Sequence, residues 1–377
     1  MKTFVVIGAS ERIVTAVLQG IYCFSRSTAI VIGNEETCKL PQSSLCSRHI
    51  YVNFSATSDH SAITTINQLH AELPDVVVIP ADCHGIRLVN RIKPNVRARV
   101  IPIPDLATLN QLDDKWHFHE LCQAHNIDVP EACYVGSKVN LNFDELVSKL
   151  GLPFVLKPTN ESGSLGVQII TSKEHYLSAV RNNESYQFKS LIAQRYIDGE
   201  DVDLSLLALH GCMTAFAIQR VAGPTMEFVQ NDRLEALAGK LCRANSFHGL
   251  MHIDARIERS TGRVFLIESN PRFWASLTAS IWCGLNFVEE SLREENHSSF
   301  PRRLISGTAP LRHPLLRPSA WGQLFHSDQR GRLTRAAMLD PYALSRLVRE
   351  LPSNSARYLG KHFTQGRDAV KSSYGVR

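Results

Sequence analysis

The segment from Gly249 to Arg272 constrains this chain more than any other. Gly249-Leu-Met-His-Ile253-Asp254-Ala-Arg256-Ile257 alternates as a strand, Ser260-Thr-Gly262-Arg reads as a turn, and Val264-Phe-Leu-Ile267-Glu268-Ser-Asn270-Pro-Arg272 supplies a partner strand. Antiparallel pairing brings Asp254 and Glu268 together, and Asn270, two residues beyond Glu268, shares its face. Two carboxylates and an amide oxygen on one sheet face form a hard-cation site of the kind that holds Mg²⁺ beside nucleotide phosphates. A cation also explains why acids are tolerated on a sheet face, where burying them unpaired is costly. Arg272 adds a planar fork suited to a phosphate or carboxylate.

Upstream, Leu152-Pro-Phe-Val-Leu-Lys157-Pro158 reads as a buried strand that delivers a lysine at its end. The small-residue loop Ser162-Gly163-Ser164-Leu-Gly166 and a second strand at Gln168–Ile170 follow. Gly and Ser leave room for backbone N–H groups to approach phosphates, and a lysine nearby balances their charge. The loop is not a Walker A loop, because no Gly-Lys-Ser/Thr opens a helix. A further strand ends in Gln194-Arg195-Tyr196-Ile197-Asp198-Gly199-Glu200-Asp201, a turn whose polar groups suit an adenine edge and a ribose.

The first third alternates short all-apolar strands with amphipathic stretches: Phe4–Ile7, Thr28–Ile32 and Asp75–Ile79, with a helical pattern from Ile13 to Gly20. This indicates a parallel sheet covered by helices on both faces. The start MKTFVVIGASERIV is read as the first buried strand, since Glu11 and Arg12 interrupt the apolar run before an export signal could form. Glu35 and Glu36 stand where a ribose-binding acid would follow a second strand. However, the Gly8-Ala-Ser-Glu-Arg-Ile turn lacks the second and third glycines of a dinucleotide fold, so the domain is read as one wall of a site completed elsewhere. IPIPD at 101–105 forms the exit linker, and a helix is expected from Thr108 to His125, carrying Lys115.

These residues resemble the ATP-grasp superfamily, in particular its carboxylate–amine ligase branch related to the large subunit of carbamoyl-phosphate synthetase. Glu268-Ser-Asn270-Pro-Arg272 matches an E-x-N-P-R signature, and the interval of 14 residues from Asp254 to Glu268 matches the spacing of the family's metal ligands. The resemblance spans about Leu106 to Glu290. It implies a fold of mixed α/β and α+β class. An N-terminal doubly wound parallel-sheet (preATP-grasp) domain, 1–105, is followed by a two-lobed ATP-grasp domain, 106–300, whose small lobe runs to about 192 and whose large lobe covers about 193–300.

It further implies that Lys115 and Lys157 contact ATP phosphates, that the loop containing Ser162, Gly163, Ser164 and Gly166 closes over them, and that Gln194, Arg195, Tyr196 and Ile197 hold adenine with Asp201 on the ribose. Asp254, Glu268 and Asn270 would hold two Mg²⁺ ions, with Mn²⁺ as a substitute, and Arg272 would stabilise the transferred phosphoryl group. The chain departs from the family pattern in Gln194 and Asp201, each standing where Glu is usual, and in Phe273-Trp274-Ala275-Ser276 in place of a Gly-rich continuation. The implied reaction joins a carboxylate to an amine through an acyl phosphate, with amino acids or small peptides as the expected substrates. The alternatives are a phosphotransferase and a bicarbonate-using carboxylase or carbamoyl-phosphate-type enzyme. Arg220 is nominated as a substrate-carboxylate anchor, with Arg256 a second candidate.

Charge divides the 377 residues unevenly. Residues 301–377 hold 14 Lys+Arg against 4 Asp+Glu, whereas 1–300 hold 27 against 32. The basic C-terminal extension is expected to pack on the catalytic domain; docking of an acidic carrier protein or an anionic membrane surface is the alternative. Dispersed arginines without an aromatic stacking motif argue against nucleic acid. No run of about 18 apolar residues suits a membrane span. Nine scattered cysteines without a CxxC pair fit reduced thiols in a cytoplasmic protein. His117 with His119, and His248 with His252, lack a third ligand for zinc. The sequence leaves the oligomeric state open; the resemblance admits a homodimer, since dimers are common in the family.

Overall fold

The computed structural model describes residues 2–293, 301–345 and 347. Strands β1 (Thr3–Ile7), β2 (Ala29–Gly33), β3 (Cys46–Tyr51), β4 (Val76–Pro80) and β5 (Arg99–Val100) form a parallel sheet in the order β3-β2-β1-β4-β5. Helices α1 (Glu11–Ser25), α2 (Asp59–Glu72) and α3 (Cys83–Ile92) connect them. β2 and β4 are buried at every position because helices cover both faces. This is the doubly wound domain expected from the sequence. β3 and β5 escape a search for apolar runs because β3 lies at the edge with a half-polar pattern and β5 is two residues long.

Strand order reverses between β1 and β4, which opens a crevice beyond their carboxyl ends. There the amides of Ala9 and Ser10 donate to Asp82 Oδ2 at 2.7 and 2.6 Å, while Asp82 Oδ1 accepts from the Gly85 amide at 2.9 Å. The N–H groups that a dinucleotide pyrophosphate would meet are therefore taken by a carboxylate of the chain itself. Gly85 is required because a Cβ there would stand 2.3 Å from the Ile7 carbonyl.

The single helix expected over Thr108–His125 is two helices, α4 (Leu106–Asp113) and α5 (Lys115–Ala124). Asp114 leaves helical geometry at ψ 124° and accepts from the amides of Trp116 and His117 at 2.9 and 3.0 Å. It thereby caps α5 and fixes Lys115 as its first residue.

The small lobe contains β6 (Ala132–Gly136), α6 (Phe143–Leu150), β7 (Phe154–Pro158), β8 (Gln168–Ile170), the single-turn α7 (Lys173–Tyr176) and β9 (Leu191–Arg195). Its sheet runs β6-β9-β7-β8 over a core that includes Leu146, Phe154, Leu156 and Val180. β9 continues to Arg195, so the lobes part at 196–198 rather than at 193.

The large lobe contains β10 (Gly199–Leu209), β11 (Cys212–Ala222), β12 (Thr225–Phe228), α8 (Asp232–Ala244), β13 (Gly249–Glu258) and β14 (Val264–Asn270). It continues through α9 (Leu277–Trp282), α10 (Phe287–Glu290), β15 (Arg302–Leu304), β16 (Gly307–Pro310) and α11 (Gln329–Met338). The sheet order is β14-β13-β10-β11-β12-β16, with β15 parallel to β11. One face, through Leu204, Leu206, Ile253 and Leu266, packs on Leu234 and Leu241 of α8. The opposite face carries the site.

The boundary expected at 300 therefore falls inside a folded unit, since β15 and β16 complete the large sheet. α11 packs on the parallel-sheet domain, where Arg332 Nη1 donates to the Cys23 carbonyl at 2.6 Å and Asp340 accepts from the Ser44 amide at 2.6 Å. Several arginines of this stretch are held by the fold. Arg302 pairs with Glu290, Arg303 lies 5.6 Å from the Phe216 ring centre, and Arg317 and Arg330 each lie 5.6 Å from that of Trp282. The docking role considered for the extension falls partly on residues 348–377, outside the described residues. No helix among the described residues is long and apolar enough to cross a membrane. All nine cysteines are free, five of them buried.

Candidate active site

Strand register arranges the exposed face of the large sheet as a grid. Gln219, Asp203, Asp254 and Glu268 stand side by side across β11, β10, β13 and β14, and Ala217, Ser205, His252 and Asn270 form the next row. The opposition of Asp254 and Glu268 inferred from the sequence is thus the pairing found, with Asn270 on the same face. A β-bulge follows: Ala255 pairs with Leu266, leaving Ile267 as the extra residue. Strict alternation back from Glu268 would put Leu266 on the site face. The bulge instead sends Leu266 to the core and gives Phe265 to the site.

Two lysines from separate elements converge on this face. Lys157 Nζ, at the end of β7, is 3.7 Å from Glu268 Oε2, and Lys115 Nζ, from the first turn of α5, is 3.5 Å from the same atom. Lys115 Nζ also donates to the Glu161 carbonyl at 2.5 Å, and its amide donates to the Thr159 carbonyl at 2.8 Å, tying α5 to the strand that carries Lys157. Burial pulls the Lys157 pKa down against the attraction of Glu268, and Lys115 pushes the same way as burial. Burial pushes Glu268 up, opposed by the two lysines. Asp203 is pushed up to about 7 by burial and by neighbouring acids, with His252 opposing. In Asp254 burial acts upward, but the hydrogen bond from His252 leads the groups that hold the carboxyl below its usual range. His252 is raised, because Asp254 and Asp203 outweigh its own burial.

Asp254 and Glu268 are directly opposed across β13 and β14, and each carboxyl acts on the other. Two adjacent carboxyl groups need a shared proton or a cation between them, so the donor set fits a divalent ion. Asn270 Oδ1 accepts from Arg272 Nη2 at 2.8 Å, and Arg272 Nη1 donates to the Phe273 carbonyl at 2.9 Å, which fixes the guanidinium fork beside the acids.

The other residues picked out by sequence lie in several places. Ser162, Gly163 and Ser164 are exposed at the tip of the β7–β8 hairpin; Gly163, Ser164 and Gly166 have positive φ. Tyr186 Oη donates to the Gly166 carbonyl at 2.8 Å, and a Cβ on Gly166 would meet the Phe188 ring at 2.5 Å. Gln194 and Ile197 are buried. Arg195 pairs with Glu258 at 3.0 Å and lies over Phe265, and the Tyr196 ring faces Arg256. Arg256 Nη1 is 3.4 Å from Asp201, whose side chain is 79% exposed.

Arg220 does not join this group. It follows Gln219 on β11, so alternation turns it to the opposite sheet face, where Glu227 accepts from its Nε and Nη2 at 3.2 Å. The cross-strand acid already satisfies the guanidinium that was nominated as a substrate anchor.

Sequence reasoning missed Asp203, Ser205 and His252. His252 Nε2 is 3.2 Å from Asp254 Oδ1 and 4.0 Å from Asp203 Oδ2, its Nδ1 is 2.9 Å from Ser205 Oγ, and its ring stacks on Trp274. The signal was the alternation Asp201-x-Asp203-x-Ser205, which becomes informative once β10 is known to lie beside β13. Gln219 Nε2 donates to Ser276 Oγ at 3.3 Å, while its Oε1 is buried without a hydrogen-bond partner among the described residues.

A nucleotide-fold domain, a two-lobed unit and a carboxylate grid facing two lysines define the class. Residues 112–276, less than half of the chain, match the family described as the ATP-grasp domain. Among curated relatives, a D-alanine–D-alanine ligase from Chromohalobacter salexigens is 30% identical over 95 residues, covering 25% of this chain and 29% of that protein. The arginine-specific large chain of carbamoyl phosphate synthase from Bacillus subtilis is 23% identical over 183 residues, covering 44% of this chain and 17% of that one. The chain thus spans less than a third of the length of either relative. In fold it is similar to an N5-carboxyaminoimidazole synthetase from Staphylococcus aureus solved with ADP, with a TM-score of 0.59, 14% identity and coverage of 82% of this chain and 80% of that one.

Proposed function

We propose that the chain is an ATP-dependent carboxylate–amine ligase that makes an amide bond through an acyl phosphate and releases ADP and phosphate. The observation that carries this reading is the convergence of Lys115 and Lys157 on the Asp254–Glu268 pair, with the Arg272 fork alongside. Asp254, Glu268 and Asn270 would hold two Mg²⁺ ions, for which Mn²⁺ could substitute. Bound there, the metal would neutralise phosphate charge during transfer. Lys115 and Lys157 hold the phosphates, and the loop at Ser162–Gly166 covers them and keeps water from the acyl phosphate. Gln194, Arg195, Tyr196 and Ile197 receive adenine, with Asp201 at the ribose.

A substrate carboxylate oxygen attacks the γ-phosphorus and ADP leaves; the amine nitrogen then attacks the acyl carbon, phosphate leaves and the nitrogen loses a proton. Arg272 orients the phosphoryl group through both steps. Catalysis here is placement and electrostatics, so no nucleophilic side chain is required. The decisive measurement is ADP and phosphate release across carboxylate and amine pairs, with product mass. Phosphate release that depends on both substrates is expected. A stable phosphorylated product, or release that depends on bicarbonate instead, would overturn the reading. Glu268→Gln should lower turnover by more than about 100-fold while the fold persists, since even outer-shell partners of a metal are worth about 10–100-fold.

A further inference from the structure

Ser276 lies four residues past Arg272 and touches Gln219, the end of the acidic row. It also lines a half-open chamber of about 890 Å³ bordered by the first turns of α1, by α9, by the segment that follows β16 and by α11. These walls come from the parallel-sheet domain, the large lobe and the stretch beyond 301, so the chamber exists only because the C-terminal segment folds back. Ala279, Trp282 and Leu333 give it apolar surface, and Arg12, Arg312 and Arg317 are its cations. No acidic side chain lines it among the described residues. Arg317 is held over Trp282 and donates from Nε to the Arg312 carbonyl at 3.0 Å.

The volume lies near the top of the range of about 300–1,000 Å³ for sites that enclose drug-sized ligands, well beyond the needs of a free amino acid. Apolar walls favour an apolar body, and the cations favour an anion. A zwitterionic amino acid would also bring an ammonium group into a chamber where no carboxylate among the described residues pairs it, which is costly. We propose that the chamber seats the carboxylate substrate and that this substrate is a bulky, largely apolar organic acid, in place of the amino acid or small peptide expected from the sequence; the proposal rests on the ligase reading above.

The test is binding of 1-anilinonaphthalene-8-sulfonate, itself a bulky apolar anion, to the full chain, read by fluorescence and competed by decanoate or alanyl-alanine. One site per chain is expected, with decanoate competing at concentrations at least about tenfold below those of the dipeptide. Ala279→Phe fills the chamber and should weaken dye binding about tenfold or more. Arg312→Glu, at the exposed rim, should weaken it without disturbing packing, so the question stays answerable if the first variant misfolds. Equal competition by the dipeptide, absence of a stoichiometric site, or unchanged binding in both folded variants overturns the proposal. Carboxylate-dependent ADP release should rise from acetate to decanoate. Dye binding needs neither ATP nor amine, so a chamber that binds decanoate in a chain releasing no ADP with any substrate pair sinks the ligase reading and supports the chamber.

Discussion

Lys157 is 3% exposed and carries its charge into the protein toward Glu268, with Lys115 nearby working against it. Such a buried charge is weak evidence for a stabilising role, because desolvation offsets most of the attraction. Lys157→Met keeps the reach of the side chain and removes the charge. Removing one partner leaves Glu268 with Lys115 alone, so the variant should unfold at a lower denaturant midpoint, while the thermal stabilisation given by MgATP falls with an ATP Kd raised about tenfold or more. A wild-type response to MgATP would remove Lys157 from the phosphate site. His252 offers a contrasting case, since it bonds Ser205, which is fully buried, and Asp254. His252→Phe leaves both without that partner and should cost about 1–3 kcal/mol in denaturant unfolding. The two kinds of residue differ in legibility for a physical reason. Asp254, Glu268, Asn270 and Arg272 lie on one hairpin, where local pairing fixes their geometry. Asp203 reaches them only through the non-sequential neighbourhood of β10 and β13, which no local pattern specifies.

At the scale of elements, the break between α4 and α5 positions chemistry. Asp114 caps α5 with two hydrogen bonds and sets Lys115 as the residue from which the helix starts. Asp114→Ala should cost about 0.5–2 kcal/mol, and it should also raise the ATP requirement, since Lys115 loses its fixed origin. Asp105 caps α4 through the Thr108 amide at 2.7 Å and provides the control. Asp105→Ala should lower stability to a similar degree in chemical denaturation and leave the ATP response unchanged. If both variants alter the ATP response equally, the cap acts through global stability alone. The sequence displays Asp113-Asp114 just ahead of Lys115, but apolar spacing runs through Leu109, Leu112, Trp116 and Leu121 without a gap, so periodicity reads one helix where a capping acid makes two. The bulge at Ile267 is hidden for a similar reason. Its presence depends on how two strands pair, and alternation along either strand alone gives no sign of it.

At the scale of the molecule, residues 301–345 are structural, although their sequence reads as part of a basic appendage. An excess of arginine looks like a surface for an acidic partner, yet among the described residues Arg302 pairs with Glu290, Arg303 lies over Phe216, Arg330 lies over Trp282 and Arg332 donates to the Cys23 carbonyl. Truncation after residue 300 removes β15, β16 and α11 together, exposing the β12 edge and the face of α1. The shortened chain should be poorly soluble and lack a cooperative unfolding transition. A finer measurement isolates one contact. The Glu290 side chain is 6% exposed between Arg302 and Arg293, and burial raises its pKa against the pull of both arginines. Arg302→Ala leaves that carboxylate with Arg293 alone and should cost about 1–3 kcal/mol near neutral pH. The deficit has a defined pH dependence. A carboxyl whose folded pKa is raised holds its proton more tightly in the folded state, so stability falls as pH rises from the unfolded value through the folded one. The difference between Arg302→Ala and the parent chain should therefore vanish where Glu290 is protonated in both states and grow above the usual glutamate range. A deficit that is the same at acidic and neutral pH would mean that Arg302 contributes packing of its stem, not compensation of the buried charge.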